Sequence, residues 1–528
     1  MKHKTVFKAL LLASLMCTSL TGCTGGKLNL IQVDPYTLSA NHRNMRINGG
    51  YASGEQYTEL MNDEYQTTYA ITNVKALVVP VDFPDMPMST YGTEEHVHDI
   101  LEKAVFGSGD DNKWFSLSEY YESTSFGKCH VSGTVMPTFT YDKTVAELNK
   151  NKKATGTAAL IANRIVEKYK ESDSPINLAD YDANQDGFVD SIIMIYSAPI
   201  TTTGELWWAF CSSVGGAFGK YTKDGKMEGA NRFFWASMRF LFEKPADERT
   251  SQNDLYYSNA DIASGKVKPD AHTLTHEYGH VLSLPDYYIT DYNTSDYSAL
   301  GGVDMMDYNV GDHNAFSKMM LGWINPRRVE GKSGKVTVEM KSTTKTGDTI
   351  IIPAPGEWNN TYLDQYLVIE FLTPEGVAKP DGDSAYLGYY PKYFSKAGIR
   401  ITHVDARMGV RSYSGNAWQF TGYTWSTTAP SNQSYVYFAA DNTATDSCFP
   451  AYKLIEIMPA KGGTQKQRGG AAADDTSLYY AGDVFGAKGV HSDFKFNGQD
   501  GTQNVKFGYK ITVNAINGNE SAKITISR

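Results

Sequence analysis

THEYGHVLSLPDYY, residues 275–288, carries two histidines four apart, a glutamate after the first, and an aspartate just beyond a proline. Leu274, Tyr278, Val281 and Leu282 recur at i, i+4, i+7 and i+8, which predicts an amphipathic helix. Asp270 is its candidate N-cap. His276 and His280 lie one helical turn apart, so both imidazoles project from one face. Two neutral imidazole nitrogens so placed can chelate zinc, with bonds of about 2.0–2.1 Å. Glu277 sits beside them, where a carboxylate can take a proton from an attacking water. One straight helix cannot supply a third ligand. Pro285 disfavours its continuation and restricts the residues just before it, so the chain can turn back and present Asp286. His272, one turn before His276, reads either as a rival ligand or as a helix-start histidine.

This stretch resembles the metzincin pattern H-E-x-x-H-x-x-G-x-x-(H or D). The resemblance implies zinc held by His276, His280 and Asp286, with Glu277 as catalytic base. Ser283 departs from the pattern, which has glycine there for a left-handed turn; a non-glycine residue in that conformation costs on the order of 1 kcal/mol. The resemblance further implies a methionine turn beneath the metal. GGVDMMDYN (301–309) would supply it, with Met306 as that methionine. Tyr308, two residues later, is then a second catalytic candidate, for the transition-state oxyanion. Ordinary core packing suits Met305 and Met306 equally well.

Upstream, DANQDGFVD places Asp182, Asn184 and Asp186 at alternate positions, followed by Gly187 and Asp190. Calcium takes six to eight oxygens, and such a spacing curls carboxylates around it, with the Phe188 carbonyl as a further ligand. Ile193 stands where an EF-hand has its glutamate, and a strand follows rather than a helix. The expectation is a structural Ca2+ loop; the alternative is a polar turn that binds nothing.

VKALVVPVDFPD, SLSEYYESTSFGK, DANQDGFVDSIIMIY, HEYGHVLSLPDYY, GGVDMMDYN, AFSKMMLGWINP and YLVIEF…GIRITHVDARMG appear in this order. Together, over about residues 74–410, they resemble the immune inhibitor A family of bacterial metallopeptidases. The resemblance implies a secreted zinc endopeptidase acting on proteins or peptides.

The flanks fit that setting. Lys2, Lys4 and Lys8 precede or enter an apolar run that reads as an export signal, too short to span a bilayer comfortably. It ends in Leu20-Thr21-Gly22-Cys23, which resembles a bacterial lipobox and implies cleavage before Cys23 and its lipidation. The lipid would be the sole membrane attachment. Beyond Cys17 and Cys23 only Cys129, Cys211 and Cys448 remain, with no CxxC spacing. A disulfide framework and a thiolate zinc site are both disfavoured.

The chain has 528 residues, 41% of them hydrophobic, and a net charge of −10. No long basic run favours nucleic acid. VKALVVPVDFPD (74–85) reads as a buried strand, FVDSIIMIYSA (188–198) as a further strand, and 116–128 and 158–170 as helices, the first opening on a Ser116/Glu119 capping box. After about 328, short β-branched and aromatic runs alternate with Gly, Asn and Asp turns.

The expected architecture is an α/β metzincin-like catalytic domain followed by all-β accessory domains. Residues 1–22 are the signal, 23–70 a tether or pro-segment, 71–328 the catalytic domain, and 329–528 the β-rich region, either one unit or two β domains split near 415. GELWWAFCSS (204–213) is either a strand near the cleft or core packing. His313 and His403 read as hydrogen-bonded structural histidines. A competing reading is a degenerate peptidase whose β domains hold glycan or protein at the cell surface; the intact H-E-x-x-H argues against it.

Overall fold

VKALVVPVD forms the strand Asn73–Asp82, the spine of a mixed sheet. The computed structural model describes residues 27–33, 52–53, 73–150, 154–170, 174–182, 189, 191–200, 205–213, 232–282, 284–289, 298–356, 358, 362–414, 417–423, 434–438, 440–443, 453–464, 471–498 and 503–528. In this sheet the strand order is His130–Val135, Asn73–Asp82, Ile192–Tyr196, Arg232–Ser237 and Phe210–Ser213, with Phe139–Thr140 also pairing with the spine. The first four run parallel, and the last is antiparallel to Arg232–Ser237. Pro80 cannot donate a ladder hydrogen bond. It falls where the spine's pairing passes from His130–Val135 to Phe139–Thr140.

Both faces of the sheet are covered, and side chains alternate between them. Ala76, Val78, Ile193, Ile195, Phe234 and Ala236 join a core with the helices Glu94–Phe106, Leu117–Thr124 and His272–Val281. Leu77, Val79, Val81, Met194 and Trp235 meet the helix Ala154–Tyr169 on the opposite face. Each fully buried aliphatic side chain contributes about 1.5–3 kcal/mol, so this double burial is what holds the sheet. Ser116 caps its helix by accepting from the Glu119 N–H at 3.1 Å. That helix ends at Thr124, a few residues before Gly127, whose φ of 73° belongs to the turn that follows.

The second half is rich in strands. A six-stranded sheet runs in the order Asn29–Gln32, Arg327–Glu330, Thr349–Pro353, Gln365–Leu372, Gly398–Asp405 and Ile455–Ile457. A four-stranded sheet joins Lys335–Lys341, Ser521–Ser527, Lys510–Asn517 and Val484–Gly486. Short helices at Thr343–Thr346 and Lys379–Asp383 interrupt the strands. Asn29–Gln32, in the segment read from sequence as a tether or pro-segment, is an edge strand of the six-stranded sheet. Ala52–Ser53 pairs with the strand Ser434–Phe438.

The core that covers the helical face of the first sheet does not stop near residue 328. It continues through Ile351, Tyr366, Val368, Phe394, Val404 and Ile455. A buried cross-strand pair reinforces the junction. Arg400 donates to both oxygens of Glu370, at 2.8 and 2.9 Å, and Glu370 Oε1 also accepts from the Ala315 N–H at 3.0 Å. Among the described residues, Cys129 and Cys211 form no disulfide, and no helix is long and apolar enough to cross a membrane.

Candidate active site

The helix His272–Val281 carries both motif histidines. Its apolar stripe is buried as the spacing predicts, but so is nearly every other position, His272 through Gly279 included. The helix is therefore not amphipathic toward solvent; its polar face is turned inward, to the site. Asp270 is not the N-cap either. Ala271 occupies that position without a side-chain bond. Asp270 stands one residue earlier and accepts from both the His272 N–H and His272 Nδ1, at 3.1 and 2.5 Å.

The chain reverses directly after the helix. The Leu284 N–H donates back to the Gly279 carbonyl at 3.0 Å, and Asp286 returns to the imidazoles. Its Oδ1 lies 3.2 Å from His276 Nε2 and 3.0 Å from His280 Nε2. Ser283 lies outside the described residues.

The same two turns fix the imidazoles. His276 Nδ1 is 2.7 Å from the Met305 carbonyl, and His280 Nδ1 is 2.8 Å from the Leu284 carbonyl. A carbonyl oxygen can only accept, so each Nδ1 carries the proton. In the neutral rings each Nε2 lone pair then points toward Asp286. Three electron-pair donors thus converge on one place, which is unfavourable unless a cation sits among them or an imidazole is charged. Burial disfavours charge on His280, yet the Asp286 carboxylate overrides it and lifts that imidazole to about 9. Burial also works against the Asp286 charge, and the His280 imidazole overcomes it and holds the carboxyl far below its ordinary range.

The three donor atoms lie within 4.8 Å of one another, and the group can hold a metal. Tetrahedral zinc bonds of about 2.0–2.1 Å put neighbouring ligand atoms roughly 3.3 Å apart, close to the 3.2 and 3.0 Å that separate Asp286 Oδ1 from the two imidazoles. The residues fit the ion.

Glu277 is buried, and burial raises its pKa. Among the described residues, its Oε2 has no hydrogen-bond partner. A buried carboxylate oxygen left without a donor is costly unless it serves a reaction. It lines a cleft of about 380 Å3 together with His280, Asp286, Leu284, Pro285 and Tyr288. The strand Phe210–Ser213 forms one rim through Ala209 to Ser212. Trp207 is buried, with its Nε1 donating to Asn149, whereas Trp208 is exposed.

Met306 lies fully buried under the helix in Met305–Tyr308. Its carbonyl accepts from the Tyr287 N–H at 2.8 Å, so this turn also holds the returning chain. A Cβ added at Gly279 would collide with Met306 Sδ. Gly279→Ala is expected to destabilise by about 1–3 kcal/mol, read as a lower denaturation midpoint.

His272 does not join the metal donors. It is buried between the Trp114 and Tyr386 rings, at centroid distances of 3.8 and 3.9 Å. Asp270 holds one ring nitrogen, and Asp381 Oδ1 lies 3.2 Å from the other. Asp381 also accepts from the Gly311 N–H at 2.6 Å.

Tyr308 is half-buried, with its ring centroid 6.2 Å from that of Tyr390, and it does not line the cleft. Tyr288, which sequence reasoning passed over, does line it, and its ring centroid is 6.2 Å from that of His276. The visible signal was its place two residues after Asp286. His313 was expected to be hydrogen-bonded, but among the described residues neither ring nitrogen has a partner. The ring is enclosed by Tyr120, Tyr121 and Trp323, and burial pushes its pKa far down. His403 lies 3.0 Å from the Gln365 amide, as a structural histidine would. Of the calcium candidates, Asp182 is buried at the end of the turn Leu178–Tyr181. Asn184, Asp186, Phe188 and Asp190 lie outside the described residues, as does Cys23.

No family model matches the chain. It is 27% identical over 254 residues to the pre-pro-metalloprotease PrtV of two Vibrio cholerae serotype O1 strains. The match covers 41% of this chain and 25% of each relative's length. The chain is thus distantly related to a bacterial metalloprotease, and it brings together a His, His, Asp group able to hold a metal.

Proposed function

We propose that this chain is an exported, lipid-anchored zinc endopeptidase of the immune inhibitor A type, with a metzincin-like catalytic region and β-rich accessory parts. One observation carries the reading. Both imidazoles commit Nδ1 to carbonyls and aim Nε2 at the Asp286 carboxylate, while the unpartnered oxygen of Glu277 belongs to a carboxylate that lines the same cleft. The distant match to a metalloprotease supports it.

A zinc ion bound by His276, His280 and Asp286 supplies Lewis acidity for amide hydrolysis. The Met305 and Leu284 carbonyls keep the two imidazoles oriented for that task. Glu277 takes the proton of the attacking water and returns it to the leaving amine. Its burial suits it to hold that proton between the two steps. The antiparallel rim strand Phe210–Ser213 offers backbone groups with which an extended peptide can pair. For the oxyanion, the role that the sequence resemblance gave to Tyr308, the phenol that lines the cleft is Tyr288. Calcium at Asp182, Asn184, Asp186, Phe188 and Asp190, and a lipid on Cys23, are proposed on sequence spacing alone.

Metal analysis tests the reading. Purified protein is expected to contain one zinc per chain. Chelation is expected to stop hydrolysis of a denatured protein, and added zinc to restore it. Asp286→Ala is expected to lose zinc while keeping its far-ultraviolet dichroism. Protein that holds calcium but no zinc, and stays inert after zinc addition, would instead be a degenerate surface-binding module.

A further inference from the structure

The acids beside the metal donors are already engaged. Asp286 faces the two imidazoles, and Glu277 is the proposed base. The rest of the cleft lining includes residues from a distant part of the chain: Phe438, Ala440, Asp441, Thr443 and Leu454. Phe438, Ala440 and Leu454 are buried and apolar. Asp441 stands among them, partly exposed.

Its Oδ1 accepts from the Thr443 N–H at 2.8 Å and from the Thr443 hydroxyl at 2.9 Å. Such a turn fixes the direction of the aspartate side chain. Among the described residues no lysine, arginine or histidine pairs with it. The cleft therefore combines apolar surface from Leu284, Phe438 and Leu454 with one held carboxylate that has no cation of its own. That combination suits a ligand with an aliphatic stem and a positive end.

We infer that Asp441 determines substrate specificity by receiving a cationic nitrogen of the peptide close to the scissile bond. This rests on the metallopeptidase reading and adds the substrate class to it. The cation has two possible sources, a lysine or arginine side chain or the free α-amino group of the peptide, and the test separates them.

Fluorogenic peptides are made in matched pairs, lysine against norleucine and arginine against citrulline, each with a free and an acetylated amino terminus. Full-length protein is expected to cleave the cationic member with a kcat/KM about tenfold higher, the size of a modest charge pairing. Persistence of the preference after acetylation assigns the side chain as source; its loss on acetylation assigns the α-amine. Asp441→Asn is expected to bring the ratio within each pair to about one. Asp441→Lys is expected to invert the preference toward glutamate. A ratio measured within one preparation does not depend on the fraction folded, so a poorly folding variant still reports. Equal cleavage of both members by the wild type, or an unchanged ratio in Asp441→Asn, overturns the inference and leaves the peptidase reading standing. If no peptide is cut, and Glu277→Gln behaves as the wild type, the peptidase reading falls and this inference with it.

Discussion

Glu277→Gln is expected to lower kcat/KM for peptide hydrolysis by on the order of a thousandfold, with zinc content unchanged. The glutamine keeps the volume and one carbonyl oxygen but cannot take a proton. The candidate metal donors are other residues, His276, His280 and Asp286, and the two imidazoles are oriented by the Met305 and Leu284 carbonyls. Loss of activity with retained metal therefore isolates the proton transfer from metal binding. Glu277 Oε2 has no hydrogen-bond partner among the described residues, so the substitution breaks no bond to them at that atom. Hydrolysis at the wild-type rate by a zinc-loaded Glu277→Gln protein would end the mechanism.

The second large effect is on stability. His272→Ala is expected to cost about 3–5 kcal/mol, because it removes one partner of a buried ion cluster and leaves Asp270 and Asp381 desolvated against each other. Burial disfavours the charged His272, but Asp270, then Asp381, outweigh it and raise the imidazole to about 10. Asp270 is raised by burial and pulled below its ordinary range by His272, with Lys113 assisting. The folded pKa of His272 lies above the unfolded value of about 6.5, so the folded state binds the extra proton. The stabilisation is complete below about pH 6.5 and declines as pH rises through about 10. Glu243, buried nearby and raised to about 7 by that burial, adds its own charge to the surroundings as pH passes neutrality. Urea unfolding from pH 6 to pH 10 checks this. Wild-type stability should fall across that window, and the variant should show a much shallower fall. Parallel curves would rule out His272 as the titrating group.

The elements that could be read directly are those whose reason is local. VKALVVPVD is rich in Val and Leu and became a strand buried on both faces. Ser116 with Glu119 three residues on became a capped helix. The H-E-x-x-H spacing, followed by Pro285, became a helix that stops and a carboxylate that returns. What escaped depends on partners far along the chain. An all-round buried helix looks amphipathic on paper, because polar residues facing an internal cleft have the same spacing as polar residues facing water. Asp381 beneath His272 is 109 positions away, and no periodicity announces such a meeting. Nor does any pattern place Phe438, Asp441 and Leu454 in the same cleft as Glu277, or Asn29–Gln32 at the edge of a sheet whose other strands begin at Arg327. Tyr288 and Tyr308 are both plausible by spacing to the metal motif, and only the path of the returning chain separates them.

The shared core and the two-part cleft bear on the order in which the protein is made. Translation delivers both motif histidines well before Asp381, which secures the base of their helix, and before Phe438, Asp441 and Leu454, which wall the cleft. A nascent polypeptide ending near residue 330 carries the whole metal signature but lacks part of the cleft lining and one of the two carboxylates that hold His272. On the proposed peptidase reading, hydrolytic competence would be tied to synthesis of these later segments, and a fragment released early would be inert toward neighbouring proteins.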